Sequence, residues 1–348
     1  MSAGGRRAAT LLLALALLRP PALGASPEPV TPPENRRGTE QTFLTYPEWF
    51  LVHSPAEYAA FVRDHPPSEF PFWGHIRQFW GSYHAVYRET RRGYPTNYGY
   101  HVMIMVIGVS TTVEYALRSA YEAVIGRVTE LTATHGPTEE DRYGARVAQE
   151  YVDFIRVRPW YEFDFLGRLK GLWREPHAFG HDLLRKWERR YALTSEYAAK
   201  GFYGWLIMKA THSAYGVERT DTGVWLDRAP ALDAARWPEV RVLRTFPDGS
   251  VLATLPRYDA FKDYATAVAV AGASFREIAG NRSVILVSAL VPDAWAAETP
   301  GTRLLFTQPL LTRPGTKRVA LVVPVAGLAD TLRGLHDSRA ALEHVYDY

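Results

Sequence analysis

The feature that most constrains this chain is a stripe of apolar residues in its N-terminal half. Val102, Val106, Val109, Val113, Leu117, Ala120, Val124, Val128 and Leu131 recur at spacings of three and four, which keeps one face of an α-helix apolar for about eight turns. A strand, with its period of two, would scatter these residues over both faces. One long helix over 97–134 is therefore predicted, ended by His135-Gly136-Pro137. Its first half, His101 to Val113, is apolar nearly all round, whereas Arg118, Glu122, Arg127 and Glu130 lie off the stripe in the second half. Such a helix fits the middle of a bundle from which its second half emerges. The uncharged run from Val102 to Val113 ends at Glu114, short of the roughly twenty apolar residues that a membrane span requires. Burial in protein is the favoured reading, and membrane insertion or peripheral membrane contact through 97–134 is the competing one.

Other segments read as helices around it. Ser54-Pro55-Ala56-Glu57 combines a capping serine, a proline suited to a first helical position and a glutamate that can close a capping box, so a short helix is predicted from Ser54 to near Pro66. Phe72, Ile76, Phe79, Tyr83, Val86 and Tyr87 give the stretch from Phe70 to Arg91 an aromatic face. Thr138 with Glu139, Glu140 and Asp141 opens another helix, whose core face is Tyr143, Val147, Tyr151 and Phe154. A last long helix is predicted from Asp182 to Tyr215, with Trp187, Tyr191, Thr194, Ala198, Phe202, Trp205, Lys209 and His212 on one narrow stripe. Together these predict a helical, aromatic-rich domain over 43–218, a mostly antiparallel bundle.

Beyond a linker or loop region at 219–239 the helical period gives way to short apolar runs. Val240 to Phe246 and Val251 to Leu255 flank Pro247-Asp248-Gly249, a hairpin signal. A helix at Asp259 to Ala271, strands at Val284 to Val291, Arg303 to Thr307 and Arg318 to Pro324, a helix at Gly327 to Leu335 and a final short strand follow. The fold class is thus α+β: an N-terminal helical bundle followed by a smaller ferredoxin-like (split βαβ) α+β domain over 240–348, extended by a hairpin.

At the N-terminus Arg6 and Arg7 precede an apolar run from Ala8 to Leu18 and then small residues at Ala22, Gly24 and Ala25. That order is the order of a secretory signal, so residues 1–25 are expected to direct export to the periplasm or an extracytoplasmic membrane surface, and residues 26–42 to form a flexible leader. The sequence has no cysteine, which excludes disulfides, thiol nucleophiles and thiolate metal sites. A net charge of +3 from 40 basic and 37 acidic residues gives no single-sign field of the kind nucleic acid selects.

No phosphate loop, dinucleotide fingerprint, nucleophile elbow or HExxH pattern occurs, and the sequence specifies no cofactor. Glu114 stands out, because a carboxylate within the most apolar helix must be paired, neutral or functional; Arg118, one turn on, is its expected partner. Glu114, His101 and His212 are the candidate catalytic residues should the bundle hold an acid/base or metal site. His84 and His101 stand among Tyr83, Tyr87 and Tyr100 and read as satisfied core histidines. His177 and His181, four apart, could share a helical face toward a metal, but Pro176 and Gly180 argue for a turn. Glu162 and Asp164 alternate with aromatics as a half-buried strand would, and Asn281-Arg282-Ser283 reads as a turn. The leading expectation is a non-catalytic protein of the cell envelope that binds an unidentified protein partner or an apolar ligand through its helical domain.

Overall fold

The computed structural model describes residues 28–211, 220–228, 232, 237–296, 301–338 and 340–347. Its N-terminal part is helical and its C-terminal part carries two antiparallel four-stranded sheets, an α+β fold. Within the stretch expected as a leader, the Val30 and Thr31 N–H groups donate to the Glu277 carboxylate at 3.0 and 2.7 Å, so residues 28–42 are tied to the sheet region.

Helix α1 (Gln41–Phe61) runs straight through Ser54 and Pro55, where the sequence predicts a helix start. Tertiary packing overrides the local signal. Phe43, Leu44, Tyr46 and Phe50 on this helix are wholly buried, and Ser54 does not cap a helix end but bonds to residues of other helices. Helix α2 (Phe72–Gly93) buries Phe72, Ile76, Phe79 and Val86, as its period predicts. Helix α3 (Tyr98–Glu130) is long and apolar enough to cross a membrane and contains a π-helical turn at Glu122–Gly126. Gly108 lets α3 approach α2 closely, since a Cβ there would stand 2.3 Å from the Phe79 ring. Helix α4 (Glu139–Ile155) begins with the capping box of Thr138 and Asp141, and buries Tyr143 and Val147 against Phe163, Phe165, Leu172 and Tyr197. Asp164 caps helix α5 (Phe165–Leu172) by accepting from the Gly167 N–H at 2.8 Å, and Glu162 ends a 3-10 turn, so the two do not form the half-buried strand that their alternation suggests. Helix α6 (Leu183–Thr211) closes the helical part.

The two stripes that the sequence assigns to the core face outward. Along α3, Val102, Val106, Val109, Val113, Leu117, Val124, Val128 and the following Leu131 are 52 to 81 % exposed. Along α6, Trp187, Tyr191, Ala198, Phe202 and Trp205 are exposed. The buried face of α3 is instead Ile104, Gly108, Thr111 and Tyr115, and that of α6 contains Arg185, Lys186, Glu188, Arg189 and Arg190. Periodicity identifies an apolar stripe but carries no information about what covers it.

The C-terminal part is a structural duplication. Strands β1 (Asp221–Asp227), β2 (Arg241–Thr245) and β3 (Val251–Pro256), helix α7 (Asp259–Val270) and strand β4 (Ser274–Ile278) form one unit. Strands β5 (Val284–Pro292), β6 (Arg303–Pro309) and β7 (Thr316–Pro324), helix α8 (Leu328–Asp337) and strand β8 (Ala341–Val345) form the second. The sheets are ordered β2-β3-β1-β4 and β6-β7-β5-β8, the same order in each unit. A split βαβ fold places two crossover helices on one sheet, whereas here each sheet has one. The single extended ferredoxin-like sheet is therefore replaced by two shorter ones, because β1 lies inside the 219–239 stretch expected as loop and supplies the first unit with its own central strand. Packing is reciprocal: α7 meets α8 and β8, while α8 meets α7 and β4. Leu226, Phe275, Ile285, Leu321, Phe261 and Leu332, drawn from both sheets and both helices, share one core.

The helical part docks on the second sheet through α1. Phe43, Tyr46 and Phe50 pack with Leu286, Ala320, Val322 and Tyr346. Thr42 continues the β5–β8 ladder, its hydroxyl accepting from Leu286 N at 2.9 Å and donating to Tyr346 O at 2.7 Å.

Candidate functional site

Helices α1, α3, α4 and α6 surround a cavity of about 1420 Å³. Phe50, Ile107, Val147, Leu193 and Ile207 supply apolar wall, and Tyr58, Tyr115, Tyr151 and Tyr197 bring ring faces and hydroxyls. Among the charged side chains that line it, four from two helices converge on one another. Lys200 Nζ lies 3.1 Å from Glu114 and 2.8 Å from Glu196, and the Arg118 guanidinium lies 3.4 Å from Glu196 and 3.6 Å from Glu114. Each helix contributes an acid and a base one turn apart, so both pairs face the same way. The group carries no net charge. Arg118 sits over the Tyr58 ring at 4.4 Å, and Lys200 over Tyr151 at 5.6 Å, contacts that hold cations against apolar rings.

The quartet is one end of a charge ladder between α3 and α6. Arg189 donates to both oxygens of Glu122 at 2.9 and 3.0 Å, and Arg185 donates to Gly126 O at 3.1 Å. The pairings 114 with 200, 118 with 196, 122 with 189 and 126 with 185 fall as the other index rises, so the two helices run antiparallel. Beyond the ladder Arg185 reaches Asp141 at 3.0 Å and Arg190 reaches Glu140 at 2.6 Å, joining α4 to the same layer.

Of the three residues singled out from sequence, Glu114 lies in this cavity with Arg118 as expected and Lys200 in addition. His101 lies in the first turn of α3, its Nδ1 3.1 Å from the Tyr83 hydroxyl. Thirteen residues of helix separate it from Glu114, about 20 Å at 1.5 Å per residue, and the two do not share a site. His212 lies outside the described residues. Lys209 stands over the Trp205 ring at 4.2 Å, while Glu196 binds Lys200 and Arg118. His84 is exposed and is no core histidine. His177 turns its Nδ1 to Glu139 at 3.2 Å, and the His181 ring stacks on His135 at 4.2 Å. Among the described residues no group of three or more His, Cys, Asp or Glu could hold a metal ion. Asn281 is buried, donating to Val284 O at 2.6 Å and accepting from Ser283 N at 2.8 Å, the turn its sequence suggests.

A second polar cluster, invisible in the sequence, lies where α1 meets the second sheet. Arg318 donates to Glu343 at 2.6 and 2.8 Å and to Glu57 at 2.9 Å. The other Glu57 oxygen stands 3.6 Å from His75 Nε2, and His75 Nδ1 meets the Ser54 hydroxyl at 2.9 Å. Hydroxyl, imidazole and carboxylate in series are the parts of a hydrolytic triad, yet Ser54 and His75 are sealed from solvent and Ser54 is also bonded to the Tyr115 hydroxyl at 2.6 Å. No substrate could reach the hydroxyl. Burial pushes the His75 imidazole down to about 3 and His53 down to about 4, so both are neutral in the fold, and it raises the Glu57 carboxyl despite the neighbouring Arg318. The cluster is an anchor between α1 and the sheet.

A paired i, i+4 charge pattern on α3 and α6 is the signal that could have placed Arg118, Glu196 and Lys200 with Glu114. Nothing local marks Arg318, whose partners come from a helix 261 residues away and a strand 25 residues away. No family model matches the chain, and neither a curated protein nor a solved structure matches it.

Proposed function

We propose that this is a non-catalytic protein of the cell envelope that binds an apolar or amphiphilic molecule in the helical cavity, its polar end at the quartet. The observation that carries this reading is the cavity itself. Its volume exceeds the few hundred to 1,000 Å³ of ordinary small-molecule sites, its walls are mainly apolar, and the charges of the quartet neutralise one another, which disfavours a strongly charged ligand at that point. The residue order of a secretory signal at 6–25 supports export. Glu114 and His101 stand about 20 Å apart along one helix, which favours binding over acid/base catalysis by that pair.

Titration of the purified protein with a fluorescent long-chain fatty acid tests this. Saturable binding is expected, lost in Ala148→Trp, which would fill space beside Tyr151, and weakened in Lys200→Met, which removes a cation at the polar end. Equal, non-saturable partitioning into all three proteins would refute a ligand site.

A further inference from the structure

We infer that α3 and α6 are embedded in a lipid bilayer, their outward faces against the acyl chains. Both helices are sorted opposite to helices in water. The exposed positions of α3 from Tyr98 to Val128 are Tyr, Gly, Val, Met, Ser, Leu, Ala and Ile, with Arg127 the one charged residue among them. The exposed positions of α6 from Leu183 to Leu206 are Leu, Trp, Tyr, Ser, Ala and Phe, and carry no charge until Lys209. Meanwhile Glu122, Arg185, Glu188 and Arg189 are turned inward and paired with one another. In hydrocarbon, ionisable groups face the protein interior and neutralise each other, and the surface is apolar.

Length and termini agree. Each charge-free face is longer than the roughly twenty residues of helix that cross the hydrocarbon core, and α3 is also apolar enough by composition. Because the helices are antiparallel, Lys209 and the exposed Arg91 and Arg92, which precede α3, mark one end together with Tyr98 and Trp205, and Arg127 marks the other with Trp173 and Trp187. Arg91, Arg92 and Arg127 make no ion pair among the described residues. Cations and amphipathic rings at both limits of an apolar band are the arrangement of a membrane interface. A protein partner or a second copy would not require the charges to be withdrawn from both helices over their whole length.

The chain has no native cysteine, so single spin labels can be placed on the full-length protein by Val109→Cys, Leu117→Cys and Phe202→Cys, with Val242→Cys on exposed β2 as the aqueous control. All four positions are exposed, so the fold should tolerate them. After reconstitution into phosphatidylethanolamine–phosphatidylglycerol vesicles, labels at 109, 117 and 202 are expected to lose collisions with a nickel chelate and keep collisions with oxygen, while the label at 242 keeps both. Nickel collisions at all four positions would overturn the inference. Exclusion of both reagents at 109, 117 and 202 with spin–spin broadening would also overturn it, assigning the face to a second copy. Neither result depends on whether the cavity binds a ligand.

Discussion

In the two-sheet half, Leu226, Phe275, Ile285 and Leu321 are sealed from solvent, and Arg241 and Asp330 stand out in it. In α3 and α6 it is Glu122, Glu188 and Arg189 that are sealed, and Val109, Leu117 and Phe202 that stand out. Fully burying a Val or Leu side chain is worth about 1.5–3 kcal/mol, so eight such residues left half-exposed on α3 forgo on the order of 10 kcal/mol in water. That is the scale of a domain's whole stability. The difference teaches that one chain has sorted its residues for two surroundings. The same substitution should therefore have different consequences in the two halves.

The largest effect is expected where both rules meet, at the buried anchor. Arg318→Met leaves Glu57 and Glu343 without their cation, and removing one partner of a buried pair costs about 3–5 kcal/mol. Urea unfolding followed by far-UV circular dichroism should show that loss; a change below about 1 kcal/mol would mean the carboxylates find water or protons instead. Leucine truncation compares the halves directly. Leu321→Ala, in the sealed core, should cost about 2–5 kcal/mol, whereas Leu117→Ala, 67 % exposed, should leave unfolding in detergent within about 0.5 kcal/mol of the parent. Equal costs would show that the α3 face is covered by protein.

Acidity sharpens the contrast next. Asp347 is buried, accepts from the Thr222 hydroxyl at 2.5 Å, and is raised from 3.8 to about 7 by desolvation. The folded state therefore holds this proton where the unfolded state has lost it. Its contribution to stability is complete below pH 3.8 and is lost as pH rises to about 7. His53 and His75 act in the opposite sense. Neutral in the fold and protonated when unfolded below pH 6.5, they contribute stability above that value that is lost as pH falls toward 4 and 3. Asp347→Asn isolates the first effect: relative to the parent it should gain about 4 kcal/mol at pH 8 and nothing near pH 3.5, read from thermal unfolding at the two pH values.

What was legible in the sequence follows the same division. The hairpin at Pro247-Asp248-Gly249, the capping box at Thr138 and the aromatic face of α2 depend on neighbours within a few residues, and they lie where the sequence puts them. The helix start at Ser54 was overridden because burying the aromatic residues of α1 outweighs an interior proline. The direction of the α3 and α6 stripes was not legible, since a period of 3.6 separates two faces without saying which one meets the solvent. β1 was missed because Val224, Trp225 and Leu226 make only a short apolar run, and its partners β3 and β4 lie 25 or more residues along the chain.

The smallest effect on stability, and the most discriminating, is expected at Glu114. Its side chain is 40 % exposed to the cavity, and Glu196 remains to balance Arg118 and Lys200 when Glu114 loses its charge. If the cavity holds water, Glu114→Gln should cost no more than about 1 kcal/mol, as for a solvated ion pair, and alter fatty-acid affinity more than unfolding. The chemistry is that of the Arg318 anchor, carboxylates facing cations, so only the dielectric separates the two cases. A loss approaching that of Arg318→Met would mean that the quartet sits in a dry interior, and that its neutrality is a condition of folding before it is a feature of binding.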